Sequence, residues 1–338
     1  MFALPHQHPT RRHCLLCAGA QALGLWMPQA AQASPTVTDG HWIDSARARQ
    51  LPWRVRLPAG DGPCVLVIFS HGLGGSVEAG TVWGQAWSAA GLAVLHLQHP
   101  GSDAETLRGG LLRLRAAASG EQLAARVADV RFVLDELQRR ALLTSAPTEP
   151  PWARLQLTAV GVAGHSFGAH TVQAVAGQRF AASTAFVDTR PRAFIAFSPS
   201  QPRGGSALSL AESFGAIRRP FLAITGSEDG DPFGSYDNGT PRAQVFEGLP
   251  LGRRALLWLD GADHMSFSGQ DLAAKGAAPA AGPFRRQGPA AERQAEHHAL
   301  VARITTDWWR SELLDDAQAR ARLAAPASLG ANDRWRQN

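Results

Sequence analysis

Leu155-Gln156-Leu157-Thr158-Ala159-Val160-Gly161-Val162-Ala163-Gly164-His165-Ser166-Phe167-Gly168 is the stretch on which the reading of this chain turns. Residues 157–163 form an apolar run of strand length, and residues 169–180 carry Val172, Val175 and Ala176 at helical spacing, which together predict a strand, a tight turn and a helix. The turn has the pattern Gly-x-Ser-x-Gly. A serine raised on such a turn must take strained backbone angles while its neighbours lack bulk, and Gly164 and Gly168 supply that room. Ser166 would then lie at a helix N-terminus, whose dipole favours developing negative charge. It is the candidate nucleophile.

Outward from this stretch, β-like runs alternate with helical ones. Strands are expected at 53–57, 65–69, 92–97, 157–163, 193–197, 221–225 and 255–259. The clearest helix is 121–143, with Leu123, Val127, Val130, Leu134 and Leu137 on one face and Ser119 with Gln122 as a capping box. A last long helix is expected from about 291 to 314, its Trp308-Trp309 pair facing the core. The alternation predicts an α/β domain with a mostly parallel central sheet and helices on both faces. Residues 144–153, 226–240 and 268–289 read as irregular, and the last of these as a surface loop flanking the site. No internal repeat or linker divides residues 34–338, so a single catalytic domain is expected there.

Residues 1–33 read as an export signal. Thr10-Arg11-Arg12-His13 is the charged part, 14–27 is largely apolar but too short to span a bilayer, and Ala31-Gln32-Ala33 is a small-x-small cleavage site before Ser34. The paired arginines point to the twin-arginine route and an exported, periplasmic or secreted protein with no stable membrane span after cleavage. With the signal gone, Cys14 and Cys17 leave and Cys64 alone remains, which excludes an internal disulfide. The formal charge falls from +5 to about +3 because the segment holds two arginines and no acid. No basic run with interleaved aromatics occurs, so nucleic acid is not an expected partner.

A serine hydroxyl becomes a useful nucleophile only when a base takes its proton and a third group holds that base. One widespread arrangement places acid, then histidine, after the serine on loops leaving later strands. Residues 255–259 run into Asp260-Gly261-Ala262-Asp263-His264, a turn-forming segment that presents His264. His165 adjoins Ser166, His170 lies one turn along the same helix, and His297 and His298 fall late on a helix, so His264 is the candidate base. Residues 221–225 run into Gly226-Ser227-Glu228-Asp229-Gly230-Asp231-Pro232. Asp229 ranks first as the acid, with Asp231 as its competitor, because the turn leaves open which carboxylate points inward.

The oxyanion formed on attack needs donors, usually two backbone N–H groups. One is the amide of Phe167, directly after the nucleophile; the other is expected in Ser70-His71-Gly72-Leu73-Gly74-Gly75, with Leu73 as the chosen donor. That glycine-rich loop lacks the Gly-Lys-Ser/Thr ending of a phosphate loop and the spacing of a dinucleotide site. No His-Glu-x-x-His, clustered cysteines or calcium-loop spacing occurs, so no metal and no cofactor is expected. His96, His99 and Asp103 read as structural or pocket-wall residues.

With these segments placed, the chain resembles the α/β-hydrolase superfamily over almost all of residues 34–338. Residues 69–74 and 164–168 look like the oxyanion and nucleophile motifs of platelet-activating-factor acetylhydrolases and related bacterial esterases. The loops 99–103, 224–229 and 260–264 are similar to bacterial proteins labelled predicted dienelactone hydrolases. Two departures limit the transfer. Dienelactone hydrolases use a cysteine where this chain has Ser166, and the acetylhydrolases carry their acid after the strand equivalent to 193–197, where this chain has Ser198-Pro199-Ser200-Gln201. The resemblance implies the α/β-hydrolase fold and a serine esterase acting on small or short-chain esters through Ser166, His264 and either Asp229 or Asp231. An acyltransferase, a lipid or polyester hydrolase, or a ligand-binding protein on the same scaffold are the alternatives.

Overall fold

The computed structural model describes residues 34–142, 152–181, 186–202, 207–270 and 292–338; the expected export signal and most of the loops 144–153 and 268–289 lie outside the described residues. Among the described residues the strands are β1 (Thr36–Asp44), β2 (Arg49–Leu57), β3 (Cys64–Ser70), β4 (Ala93–Leu97), β5 (Leu155–His165), β6 (Pro191–Phe197), β7 (Phe221–Glu228), β8 (Arg254–Asp263) and β9 (Arg334–Gln337). The helices are α1 (Thr81–Ala89), α2 (Ala104–Arg108), α3 (Leu111–Ala116), α4 (Gly120–Leu142), α5 (Phe167–Ala176), α6 (Leu210–Phe214), α7 (Thr240–Gly248), α8 (Gln294–Leu313) and α9 (Ala317–Ala324).

All nine strands join one sheet in the order β1-β2-β4-β3-β5-β6-β7-β8-β9. Every pair from β4 to β8 is parallel, while β1, β2 and β9 add antiparallel edges. Strands β3 and β4 are buried along their whole length, as central parallel strands covered on both faces must be. On one face Val127, Val130 and Leu134 of α4, Val172 and Val175 of α5 and Phe246 of α7 share a core. On the other, Trp83 and Trp87 of α1 pack with Val301, Ile304, Trp308 and Trp309 of α8. The protein is therefore α/β with a mostly parallel sheet between two helical layers. None of the described helices is long and apolar enough to cross a membrane.

The differences from the sequence expectation lie at the edges. β1 and β9 were not anticipated, because both are edge strands with little apolar alternation; β9 is Arg-Trp-Arg-Gln. β1 is held by pairing with β2 and by a cluster of Trp42, Trp53 and Trp152 with ring centroids 4.9–5.4 Å apart. Strand β2 begins at Arg49 rather than 53, running through Pro52. The stretch 226–240, expected to be irregular, contains the end of β7 and the start of α7. Likewise β8 continues to Asp263 through the segment read as a turn.

Strand order fixes where chemistry can occur. From β3 the chain goes to β4 on one side, and β5 then inserts on the other. At such a reversal the loops leaving the C-terminal ends of β3 and β5 diverge and open a crevice. Ser166 follows β5 and the glycine loop follows β3.

Candidate active site

Ser166 is the N-cap of α5, with φ 57° and ψ −116°. A positive φ on a residue with a side chain costs about 1–3 kcal/mol and persists only where the surroundings impose it. Here the Ser166 amide donates to the Phe197 carbonyl at 2.9 Å, and the residue is left half-buried at the strand end. The flanking glycines are required by close approach. A Cβ on Gly164 would lie 2.5 Å from the Gly168 carbonyl, and one on Gly168 would run into the Ser70 carbonyl oxygen.

His264 opens a short 3-10 turn just after β8, and that turn is tied down on both sides. The Asp263 side chain accepts from the Ser266 amide, while the Ser268 and Gly269 carbonyls accept from Gly80 and Val82 at the start of α1. The ring reaches Ser166 Oγ through Nε2 at 2.9 Å and Asp229 Oδ1 through Nδ1 at 2.8 Å. A carboxylate only accepts, so Nδ1 carries the hydrogen and Nε2 is free to take the serine proton. Asp229 is fully buried, and its other oxygen accepts from Thr225 Oγ1 at 2.8 Å.

Of the two acids, Asp229 joins this row and Asp231 does not. The Asp231 carboxylate accepts from the Phe233 and Ser235 amides at 3.3 and 3.1 Å, closing its own turn. Burial raises the Asp229 pKa, but the charge of Arg242 and the bond from His264 outweigh it and hold the carboxyl below its ordinary value. For His264, burial and then Arg242 lower the pKa, with Asp229 opposing, so the neutral base is favoured.

The glycine loop lies against Ser166. A Cβ on Gly72 would be 3.4 Å from that of Ser166. The next peptide N–H, Leu73, and that of Phe167 at the start of α5 donate to no other group among the described residues. The Phe167 amide belongs to the first helical turn, where N–H groups lack intrahelical acceptors.

Sequence reasoning passed over three contributors. His165 Nε2 donates to the His264 carbonyl at 2.9 Å, holding the His264 backbone from the strand that ends beside Ser166. Burial, with His264 beside it, pushes the His165 pKa far down, so this ring stays neutral. Arg242 on α7 pairs with Asp229 Oδ1 at 2.9 Å and donates to the Asp229, Gly230 and Ser198 carbonyls. Thr225 is the third. Nothing local marks Arg242, because its partners are 12 to 44 residues away. His96 bonds the Ala79 carbonyl, His99 bonds Asp129, and Asp103 caps α2, all as scaffold. Among the described residues no three His, Cys, Asp or Glu side chains group as a metal site. Compared with known proteins, the chain matches no family model, and no curated protein is similar to it in sequence.

Proposed function

We propose that this chain has the α/β-hydrolase fold and is a serine carboxylic-ester hydrolase of the esterase type its motifs resemble, acting on small or short-chain esters. The observation that carries the reading is the row Ser166–His264–Asp229, with contacts of 2.9 and 2.8 Å, ending on a serine with a strained backbone at the C-terminal end of β5. In this reading Ser166 Oγ attacks the ester carbonyl carbon as its proton passes to His264 Nε2. The carbonyl oxygen becomes an oxyanion facing the Leu73 and Phe167 amides. Collapse breaks the ester C–O bond, and the alcohol leaves with the proton from His264. Water then attacks the acyl-enzyme, giving a proton to His264, and Ser166 departs with that proton as the acid is released. Asp229 keeps the imidazole in the productive tautomer and offsets its transient charge.

Hydrolysis of p-nitrophenyl acetate and butyrate, together with labelling by a fluorophosphonate probe, tests the reading. Both should be present in the wild type and absent in Ser166→Ala; equal turnover in the variant would overturn it. On sequence grounds alone we also read residues 1–33 as a cleaved export signal. Mass spectrometry of the exported protein should find Ser34 at its N-terminus, and a retained Met1 would contradict this.

A further inference from the structure

Behind the glycine loop lies a polar cluster that the proposed chemistry does not use. Arg126 of α4 is fully buried. Its Nε donates to Thr171 Oγ1 at 2.9 Å and its Nη1 to Ser102 Oγ at 2.8 Å. Nη2 donates to Ser70 Oγ at 3.1 Å and to the His71 carbonyl, and the guanidinium lies 4.8 Å from the Phe167 ring centroid. Thr171 Oγ1 in turn donates to the Phe167 carbonyl at 2.9 Å. One side chain therefore grips both the loop that carries Leu73 and the helix turn that carries Phe167.

The peptides leading to Leu73 are held at their carbonyl ends. The His71 carbonyl, bonded by Arg126, belongs to the peptide unit of the Gly72 amide. The Gly72 carbonyl belongs to that of the Leu73 amide, and it accepts from His71 Nδ1 at 2.6 Å and from the Gly75 amide at 3.1 Å. His71 Nε2 accepts from the His99 amide at 2.9 Å, which fixes the proton on Nδ1. His99 continues the cluster. Its Nε2 accepts from Ser70 Oγ at 2.9 Å and its Nδ1 donates to Asp129 at 3.0 Å, where Arg47 and Arg49 also bind.

We infer that Arg126 is a positioning residue for the oxyanion hole, joining its two halves through one buried guanidinium whose charge lies behind the site of the developing oxyanion. The inference rests on the ester-hydrolase reading above. Arg126 makes no ion pair with a carboxylate among the described residues. A buried cation without a paired anion is an expensive way to fill a core, and an apolar side chain of similar volume would pack there at lower cost. A preorganised positive charge in low dielectric, aimed at an anion that forms only in the transition state, is a use that repays it. Burial pulls the pKa of Arg126 down to about 9, against the opposing charges of Asp129 and Asp103, so it remains a cation at neutral pH.

The test compares wild type with Arg126→Lys, Arg126→Met and Thr171→Val, using p-nitrophenyl butyrate turnover and inhibition by an alkyl trifluoromethyl ketone, which forms a tetrahedral oxyanion on the nucleophilic serine. Near-UV circular dichroism and Tm report folding. The expected result is a fall in kcat of about 10- to 100-fold in Arg126→Met, an intermediate fall in Arg126→Lys, and KM within about threefold of wild type. Affinity for the ketone should weaken by the same factor as kcat. If the Arg126 variants do not fold, Thr171→Val decides: a several-fold loss in kcat and ketone affinity at constant KM supports the inference, and wild-type values overturn it. Folded Arg126 variants with wild-type kcat and ketone affinity overturn it as well. A wild type that neither turns over the ester nor is labelled at Ser166 would instead refute the parent reading.

Discussion

Two serine–histidine–aspartate rows run through this molecule, alike in residue types and contact distances and different in their surroundings. Ser166–His264–Asp229 has contacts of 2.9 and 2.8 Å; Ser70–His99–Asp129 has 2.9 and 3.0 Å. In the first, the serine lies on a strained turn and is only half-buried. In the second, the serine is the last residue of β3, and all three members are fully buried. Asp229 faces one arginine, whereas Asp129 binds two, and Arg126 already donates to the Ser70 hydroxyl. Hydrogen-bond geometry alone therefore does not make a nucleophile. On the proposed reading, a partly exposed serine, a backbone that projects it and two amides without other partners among the described residues are what separate Ser166 from Ser70.

The sharpest way to break that comparison is to remove each serine. Ser166→Ala should reduce ester turnover by roughly 10⁴-fold or more, as loss of a triad nucleophile does. Ser70→Ala should keep turnover within about tenfold while lowering stability by about 1–3 kcal/mol, since a buried imidazole nitrogen and a guanidinium lose a partner. Activity and denaturant midpoints measured side by side decide it. Next in size, Asp229→Asn should cost about 10³- to 10⁴-fold in kcat by favouring the wrong imidazole tautomer, and Asp231→Asn less than about threefold. The reverse order would move the acid role to Asp231.

Smaller effects follow from charge. Because burial and Arg242 lower the His264 pKa, kcat/KM should rise through an acid limb centred below the ordinary histidine value near 6.5. Arg242→Gln removes a positive neighbour and should move that limb upward in pH. A pH–rate profile of both forms measures this. The buried histidines give a stability counterpart. Burial lowers His99 to about 4 and His96 to about 3, and pushes His71 and His165 well down. Below about pH 6.5 the unfolded chain takes up protons that the folded chain refuses, so stability is complete above that pH and falls as pH drops toward the folded values. Thermal unfolding should show Tm lower by about 5–10 °C at pH 4.5 than at pH 7.

Central elements were legible because local pattern and tertiary position agree there. The apolar run 157–163 is buried from Ala159 onward, and its turn glycines are dictated by contacts that any residue with a Cβ would violate. Edge strands β1 and β9 were not legible, because their pairing partners rather than their own sequences hold them in place. The order of serine, acid and histidine along the chain named Ser166 and His264, and reduced the acid to two neighbours. Which of Asp229 and Asp231 meets His264 depends on the path of residues 229–237, where two amides turn Asp231 into its own loop.

By itself the sequence determined the chemical inventory: a serine on a glycine-flanked turn, a histidine and two aspartates after later strands, and a glycine-rich loop after an earlier strand. Only the tertiary structure decided which of these groups meet, and that His165, Arg242 and Arg126 stand behind them. The reason is physical. Strand identity depends on local periodicity, but a buried guanidinium is positioned by carbonyls and hydroxyls from segments distant in sequence, so its place exists only once the sheet has brought them together.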